Sequence, residues 1–152
     1  MENSIRKLFQ RYERFFKQAL DGDIDQDEIA ALYSSEFIAA SPGGVVTGKN
    51  DDEFKQFMVR GYARYRAIGT REMRIRGIRL SPIDELHTVA HVDWTAIYGS
   101  ESQEADVSID FTVHYFVQTL EGQSRVFGWV AGDEQALLKE YGIGESKMNV
   151  NP

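Results

Sequence analysis

Apolar residues in the first third of the chain recur at steps of three and four, which is the spacing of one helix face. A first stripe of this kind runs through residues 5–20 and ends at the Asp-Gly-Asp turn of residues 21–23. A shorter helix is predicted over residues 26–33, where acidic residues occupy the first turn as the helix dipole favours. Residues 36–47 then predict a small hairpin around the Pro-Gly-Gly turn at 42–44.

A third helix is predicted to begin after Asn50, which can cap it, and to end at Gly69. After Gly69 the period of the apolar residues changes from about 3.6 to 2, which is typical of half-buried strands. The predicted strands span residues 71–80, 86–98, 107–120 and 124–131.

Three further signals interrupt or end this β-rich half. The apolar parity of the first strand breaks at Gly77, which predicts a β-bulge. Glu121-Gly122 predicts a tight turn between the last two strands. A short helix is predicted over residues 133–141, and the tail 145–152 is predicted to be disordered.

Two histidines, His91 and His114, lie in strongly alternating stretches of neighbouring predicted strands. They face each other if the hairpin between these strands is centred between Ser102 and Gln103. Two imidazoles facing one cavity can bind a polar ligand or move protons near neutral pH. If Glu121-Gly122 forms a two-residue turn, His114 is also predicted to face Trp129.

These registers divide the sheet into two faces, and neither face is plainly a solvated one. A sheet occupied on both faces is expected to carry helices and a pocket on one side and a partner subunit on the other. Composition alone does not say which side is which. One predicted face carries His91, Asp93, Thr95, Asp110, Thr112, His114, Phe116, Phe127 and Trp129, and the other carries Val92, Trp94, Phe111, Val113, Tyr115 and Val130.

Length, charge and cysteine content restrict the class of protein. The chain has 152 residues, and residues 1–144 are predicted to form a single domain. A net charge of −7 argues against nucleic acid as a partner, because that binding depends on cationic neutralisation of phosphates. Without cysteine there is no disulfide and no Cys-based zinc site, which fits a reducing compartment. No signal core and no apolar run of roughly 18 residues is present, so a cytoplasmic protein without a membrane partner is predicted.

The order of these elements resembles the nuclear transport factor 2-like superfamily, which includes SnoaL-like polyketide cyclases, ketosteroid isomerases and scytalone dehydratases. The resemblance covers about residues 4–142. It is carried by ALDGDIDQDEIAALYSSEFIAASPGG, by the helix from Asn50 and by RVFGWVAGDEQALLKEYG. It implies an α+β fold, a cone-like curved antiparallel sheet with helices packed on its concave face around a pocket. It also implies a homodimer formed through the convex face.

Compared residue by residue, the resemblance favours the histidine face as the pocket face. An ungapped match with ketosteroid isomerases aligns His114 with their oxyanion-stabilising aspartic acid and Phe127 with a pocket wall. Their general base corresponds to Ser41, which is a poor proton acceptor, so steroid isomerisation by that mechanism is not expected. Scytalone dehydratases also place two histidines on neighbouring strands and a tyrosine and an aspartate on the first helix, which Tyr12 and Glu13 resemble.

The resulting hypothesis is a pocket that holds a small cyclic or aromatic molecule. The protein would act on this molecule as a lyase or isomerase, without a cofactor or a metal. Asp93 is predicted to assist, or alternatively to pair with Arg60 or Arg64 of the third helix. Two other functions stay open, a ligand-binding protein without chemistry and a dimerising association domain. The predicted catalytic residues are His91, His114, Asp93 and Tyr12, and the predicted ligand-binding residues are Trp129, Phe127, Phe116, Thr112, Ser41, Phe57 and Tyr65.

Overall fold

The computed structural model describes residues 1–99 and 106–143, so the predicted tail at 145–152 lies outside the described residues. In these residues, four helices and six strands follow one another in nearly the predicted order. None of the described helices combines the length and the apolar composition that crossing a bilayer requires. The elements are α1 (Glu2–Leu20), α2 (Gln26–Ala30), β1 (Tyr33–Ser41), β2 (Gly44–Lys49), α3 (Asp52–Ala67), β3 (Thr70–Pro82), β4 (His87–Tyr98), β5 (Val107–Leu120), β6 (Gln123–Val130) and α4 (Glu134–Glu140).

The cap of α3 lies one residue later than predicted. The carboxylate of Asp51, rather than the amide of Asn50, accepts the backbone N–H of Phe54 at 2.9 Å. Asn50 donates instead to the carbonyl oxygens of Ala30 and Tyr33, at 2.7 and 3.2 Å. Asn50 therefore joins the end of α2 to the start of β1, which begins three residues earlier than its alternation predicted.

The six strands form one curved, unclosed sheet in the order β2-β1-β6-β5-β4-β3, as the family resemblance implied. Only the pairing of β1 with β6 is parallel. Tyr98 pairs with Val107, which is the register predicted for a hairpin centred between residues 102 and 103, although that loop lies outside the described residues. Glu121 and Gly122 both have positive φ values, 52° and 77°, and form the predicted two-residue turn.

The predicted bulge in β3 is confirmed, because the register with β4 shifts between Ile75 and Gly77. β3 is also an edge strand, so the backbone N–H of Ile75 is available to a partner outside the strand ladder. A carboxylate oxygen of Glu13 in α1 accepts this N–H. Glu13, which loosely matched a dehydratase acid, thus fixes the first helix to the sheet.

The helices cover the sheet face that carries Val92, Trp94, Val113 and Tyr115, and we call this the concave face. Each of these residues is at most 9% exposed, and Phe9 of α1 packs on them. The opposite face is called the convex face. The expectation that the histidine face lies inside is therefore wrong. The apolar side chains gain more free energy by leaving water than the polar ones of the other face would.

Candidate functional site

His91 and His114 form a cross-strand pair, as predicted, but on the convex face. Their Nδ1 atoms lie 2.7 Å apart, so one ring donates a hydrogen bond to the other. The Nε2 atom of His91 lies 2.8 Å from the hydroxyl of Ser81. Partial burial lowers the pKa of His91 from 6.5, and the nearby His114 and Arg79 lower it further. Both rings therefore belong to a hydrogen-bonded chain on the outer side of the sheet.

Asp93 is a second polar residue of the convex face, and its partner is not a residue of the third helix as one alternative predicted. The hydroxyl of Thr112 donates to Asp93 at 2.7 Å, and Arg79 of β3 forms an ion pair with it at 3.3 Å. The hydrogen bond from Thr112 lowers the pKa of Asp93, and Arg79 adds to this effect. Asp93 and Thr112 are thus satisfied across the strands and do not reach the interior.

The aromatic residues predicted for the pocket wall separate onto the two faces. Phe116 and Phe127 stack on the convex face with centroids 5.8 Å apart. Phe127 is the extra residue of a bulge in β6, where the register shifts between Phe116 and Val117. Beyond this bulge the parity inverts, so Trp129 lies on the concave face opposite Tyr115 rather than opposite His114.

Two other predicted binding residues lie away from any enclosed space. Phe57 is 61% exposed because the inner side of α3 is formed by Phe54, Tyr62 and their neighbours. Ser41 ends β1, and its hydroxyl accepts the backbone N–H of Gly43 at 3.3 Å in the turn to β2. The expectation that these two residues line a pocket is wrong.

The interior between helices and sheet contains a group of hydrogen-bonded aromatic residues. The hydroxyl of Tyr33 donates to that of Tyr12 at 2.8 Å, and the indole N–H of Trp94 donates to Tyr115 at 3.2 Å. The ring of Tyr12 lies 5.8 Å from that of Trp94 and 5.7 Å from that of Tyr115. We call Tyr12, Tyr33, Tyr62 and Tyr115 the phenol cluster.

Burial raises the pKa of every hydroxyl in the phenol cluster, because a buried phenolate loses its hydration. The neighbouring hydroxyls add to this effect at Tyr33 and Tyr115. The four groups are therefore neutral O–H donors and acceptors at physiological pH. They can stabilise developing negative charge on a ligand oxygen but cannot serve as bases.

A second polar group lies where α3, β3, β4 and α4 meet. The hydroxyl of Tyr65 donates to Oε1 of Glu134 at 2.6 Å. Burial raises the pKa of Tyr65 and Tyr98, and the negative charge of Glu134 raises both further. The hydroxyl of Thr70 is buried without a hydrogen-bond partner among the described residues, although its proximity to Tyr98 opposes the rise in that residue's pKa. We call Tyr65, Thr70, Tyr98 and Glu134 the Glu134 cluster.

Sequence reasoning placed Tyr12, Tyr65 and Trp129 near the interior but missed Glu134. Glu134 is the first residue of a short helix, a position that acidic side chains also occupy for the helix dipole alone. The sequence had placed Trp94 and Tyr115 on the same face of the sheet. Their indole N–H and phenol hydroxyl were the available signal that this face carries polar groups. Within residues 1–99 and 106–143, no three His, Asp or Glu side chains are grouped closely enough to bind a metal ion.

Open space lies beside Gly61 of α3. Gly61 lies on the same side of this helix as Phe54 and Tyr65 and is only partly exposed. A Cβ atom built at Gly61 meets no heavy atom within 4 Å. The glycine thus leaves open space beside the helix rather than admitting a close backbone approach.

Comparison with known proteins identifies the fold and a family. A family model described as NTF2-like protein (DUF6841) matches residues 2–134. No curated protein matches the chain. Among solved structures, an NTF2-like protein with a cystatin-like fold from Novosphingobium aromaticivorans is 14% identical with a TM-score of 0.65, covering 90% of this chain and 88% of its own.

Two further solved structures bear the names of enzyme classes. A scytalone dehydratase-like protein from Novosphingobium aromaticivorans is 16% identical with a TM-score of 0.62, covering 85% of this chain and 80% of its own. A ketosteroid isomerase-like protein from Erwinia carotovora atroseptica is 11% identical with a TM-score of 0.58, covering 86% and 93%. At these identities the likeness establishes the fold alone.

Proposed function

We propose a function for this chain from the premise that it belongs to the family of NTF2-like proteins (DUF6841). The proposed function is the binding of a small cyclic or aromatic molecule between the helices and the concave face. The observation that carries it is the phenol cluster, in which Tyr33 donates to Tyr12 and burial keeps all four hydroxyls neutral. A few convergent hydroxyls within an apolar wall are typical of sites that orient a small organic ligand.

The catalytic part of the sequence-based hypothesis stays a prediction, and its residues fall into two separate groups. Tyr12 lies in the interior, whereas His91, His114 and Asp93 lie on the convex face. The four side chains therefore cannot act on one substrate. Lyase or isomerase chemistry in the interior would depend on hydroxyl donors and on the carboxylate of Glu134 instead.

Tryptophan fluorescence can test binding directly. Both tryptophans of the chain, Trp94 and Trp129, lie on the concave side, so selective indole excitation reports on the interior. We expect neutral aromatic alcohols and ketones to produce a saturable change in emission. A wild-type chain whose emission does not respond to any of these compounds would contradict the proposal.

Two substitutions of one glycine provide the matched test of location. Gly61→Phe places a large ring in the unfilled space beside α3 and is expected to abolish the fluorescence response. Gly61→Ala places only a methyl group there, so binding is retained while helix stability rises by about 0.5–1 kcal/mol. If Gly61→Phe folds and binds as tightly as the wild type, the ligand does not occupy the space beside α3.

A second candidate function, self-association through the convex face, is favoured by a specific row of side chains. Ile38, Val45 and Val130 are 46%, 69% and 38% exposed. Val130 pairs with His114 in the register of β5 and β6, so the apolar row adjoins the histidine pair. Half-exposed apolar side chains on an ordered sheet face are a common basis of protein interfaces.

The proposed occupant of this face is a second copy of the chain. The convex face carries acidic and basic groups that are already paired within one copy, such as Arg79 with Asp93 and Arg76 with Asp110. Two copies can therefore approach without strong repulsion. The family resemblance, which implies dimers through the convex face, supports the same occupant.

Sedimentation velocity with adjacent valine variants tests self-association. Val45 lies on the convex face, whereas Val46 pairs with Ala39 and lies on the other side of the same strand. Their exposed fractions are similar, 69% and 64%. We expect Val45→Glu to yield a monomer and Val46→Glu to leave the dimer intact. A wild-type monomer at high concentration, or equal effects of both variants, would contradict self-association through this face.

A further inference from the structure

Glu134 is only partly exposed, and the side chain that hydrogen-bonds its carboxylate is uncharged. Its hydrogen-bond partner is the hydroxyl of Tyr65, at 2.6 Å. None of the ion pairs among the described residues includes Glu134. The helix that carries it is held by its own cap, since Asp133 accepts the backbone N–H of Ala136 at 2.9 Å. A fixed negative charge among phenols attracts a cation and repels an anion.

The second observation is the buried hydroxyl of Thr70. Thr70 is 7% exposed, and its Oγ1 atom has no hydrogen-bond partner among the described residues. It pairs with Tyr98 across the strands, so both side chains lie on the concave face. The hydroxyls of Thr70 and Tyr98 are in contact without a well-formed hydrogen bond, so a ligand or water can complete the bonding of Thr70. Here it provides an oxygen acceptor beside those of Tyr98 and Glu134.

Aromatic ring faces complete the surroundings. Tyr65 lies 5.2 Å from Phe16, and Phe16 contacts Tyr62 at 5.0 Å, between ring centroids. Aromatic side chains near a carboxylate favour an organic cation that can reach a ring face. An ammonium group has three N–H donors and no acceptor, which suits a carboxylate and two hydroxyl oxygens.

We infer that the ligand of the proposed interior site carries a protonated amine on an aromatic or cyclic body, an inference that rests on the proposed function. Glu134 anchors the ammonium group, and Thr70 and Tyr98 accept its other hydrogen bonds. The phenol cluster and Trp94 contact the body of the ligand. The net charge of −7 increases the local concentration of such a cation.

Three compounds that share a benzyl group but differ in charge test this inference. They are 2-phenylethylamine, 2-phenylethanol and phenylacetate, titrated at neutral pH with tryptophan emission as the readout. The wild type is expected to bind the amine about tenfold more tightly than the alcohol, and the acid most weakly. If the acid binds as tightly as the amine, or the alcohol binds best, the inference is overturned while the proposed interior site survives. If none of the three binds, both are overturned.

Variants of Glu134 and Thr70 assign the preference to these residues. Glu134→Gln is expected to bring the affinities for amine and alcohol within about twofold of each other by removing the charge. Glu140→Gln, an exposed residue of the same helix, is the matched control and should keep the preference. Amine preference that persists in Glu134→Gln would overturn the anchoring role.

Thr70→Val supplies an independent readout, because it replaces the unpaired hydroxyl with a methyl group of similar shape. We expect it to raise the Tm of the free protein and to weaken amine binding several-fold, with alcohol binding less affected. A lowered Tm together with unchanged amine binding would mean that the hydroxyl already has a structural partner, and would remove Thr70 from the proposed site.

Discussion

The two faces of β4 and β5 are built from alternate residues of the same segments and both form cross-strand hydrogen bonds, yet only the concave face also contacts the helix layer. On the concave face, Tyr115 accepts from Trp94, and its ring packs against Tyr12 from the helix layer above. On the convex face, Asp93 and Thr112 bond sideways to each other across the strands. Polar content therefore does not identify the inner face. The inner face differs in that its polar groups, such as the hydroxyl of Tyr115 and the indole N–H of Trp94, belong to large aromatic side chains that are themselves buried.

The convex face carries an exposed apolar row in addition to these cross-strand hydrogen bonds. The concave side has open space instead, at α3. A row of half-exposed valines and isoleucine adjoins the histidines on one side. On the other side, open space lies beside Gly61 of α3.

The largest effect is expected from breaking the concave face at Trp94. This side chain is 1% exposed, so Trp94→Ala leaves a cavity and is expected to lower the free energy of unfolding by about 3–5 kcal/mol. Asp93→Ala, one residue away on the convex face, loses exposed hydrogen bonds and should cost about 1 kcal/mol. Urea denaturation monitored by circular dichroism measures both. Similar losses for the two variants would contradict the assignment of the faces.

The next effect concerns Glu13, which ties α1 to the sheet across the interior. Glu13→Ala leaves the backbone N–H of Ile75 without a partner at the bulge and is expected to cost about 1–3 kcal/mol. Glu13→Gln keeps an acceptor oxygen and should recover most of this stability. If Glu13→Ala were as stable as the wild type, water would replace the carboxylate and the contact would not hold the helix.

The antiparallel pairing of β3 to β6 and the turns were predictable from the sequence because they depend on local spacing, whereas the parallel pairing of β1 with β6 joins distant segments and was not predicted. The centre of the β4–β5 hairpin placed His91 opposite His114, and the parity break at Gly77 gave the bulge. Glu121-Gly122 set the turn because glycine tolerates the positive φ that such turns need. The cap of α3 was predicted one residue early because Asn50 and Asp51 are both suitable capping residues.

The inner face was predicted wrongly although the sequence held the signal for it. Val92, Trp94, Val113 and Tyr115 offer more apolar area than the histidine face, and burying apolar area dominates folding. The residue-by-residue match with ketosteroid isomerases favoured the histidine face instead, and the prediction followed that match. The bulge at Phe127 added a second error, because one extra residue in β6 inverts the side on which Trp129 lies.

The site itself was less predictable than the fold, because its residues come from elements that only the packing brings together. Tyr33 begins a strand where the apolar pattern predicted the end of a helix. Glu134 and Tyr65 are 69 positions apart and share no motif. Their proximity depends on how α4 returns across the end of α3, which no local spacing encodes.

The smallest expected effect sharpens the comparison from the convex side, through the pH dependence of stability. Because partial burial, then His114 and Arg79, lower the pKa of His91 from 6.5, the folded chain takes up this proton less readily than the unfolded chain. The free energy of unfolding should therefore fall as the pH drops below 6.5, until the pH passes the lowered pKa of the folded state. Above 6.5 the ring is neutral in both states and contributes no slope.

His91→Gln removes this proton and is expected to flatten the loss of stability below pH 6.5, while leaving the carboxylate-driven loss at lower pH unchanged. The comparison is made in the Val45→Glu background, so that dissociation of a dimer does not contribute to the measured unfolding. Thermal denaturation between pH 5 and pH 8 provides the curve. An unchanged slope in His91→Gln would mean that the proton taken up on unfolding belongs to another group. The hydrogen bonds of the convex face would then still stabilise the chain, but that stability would not depend on the protonation of His91.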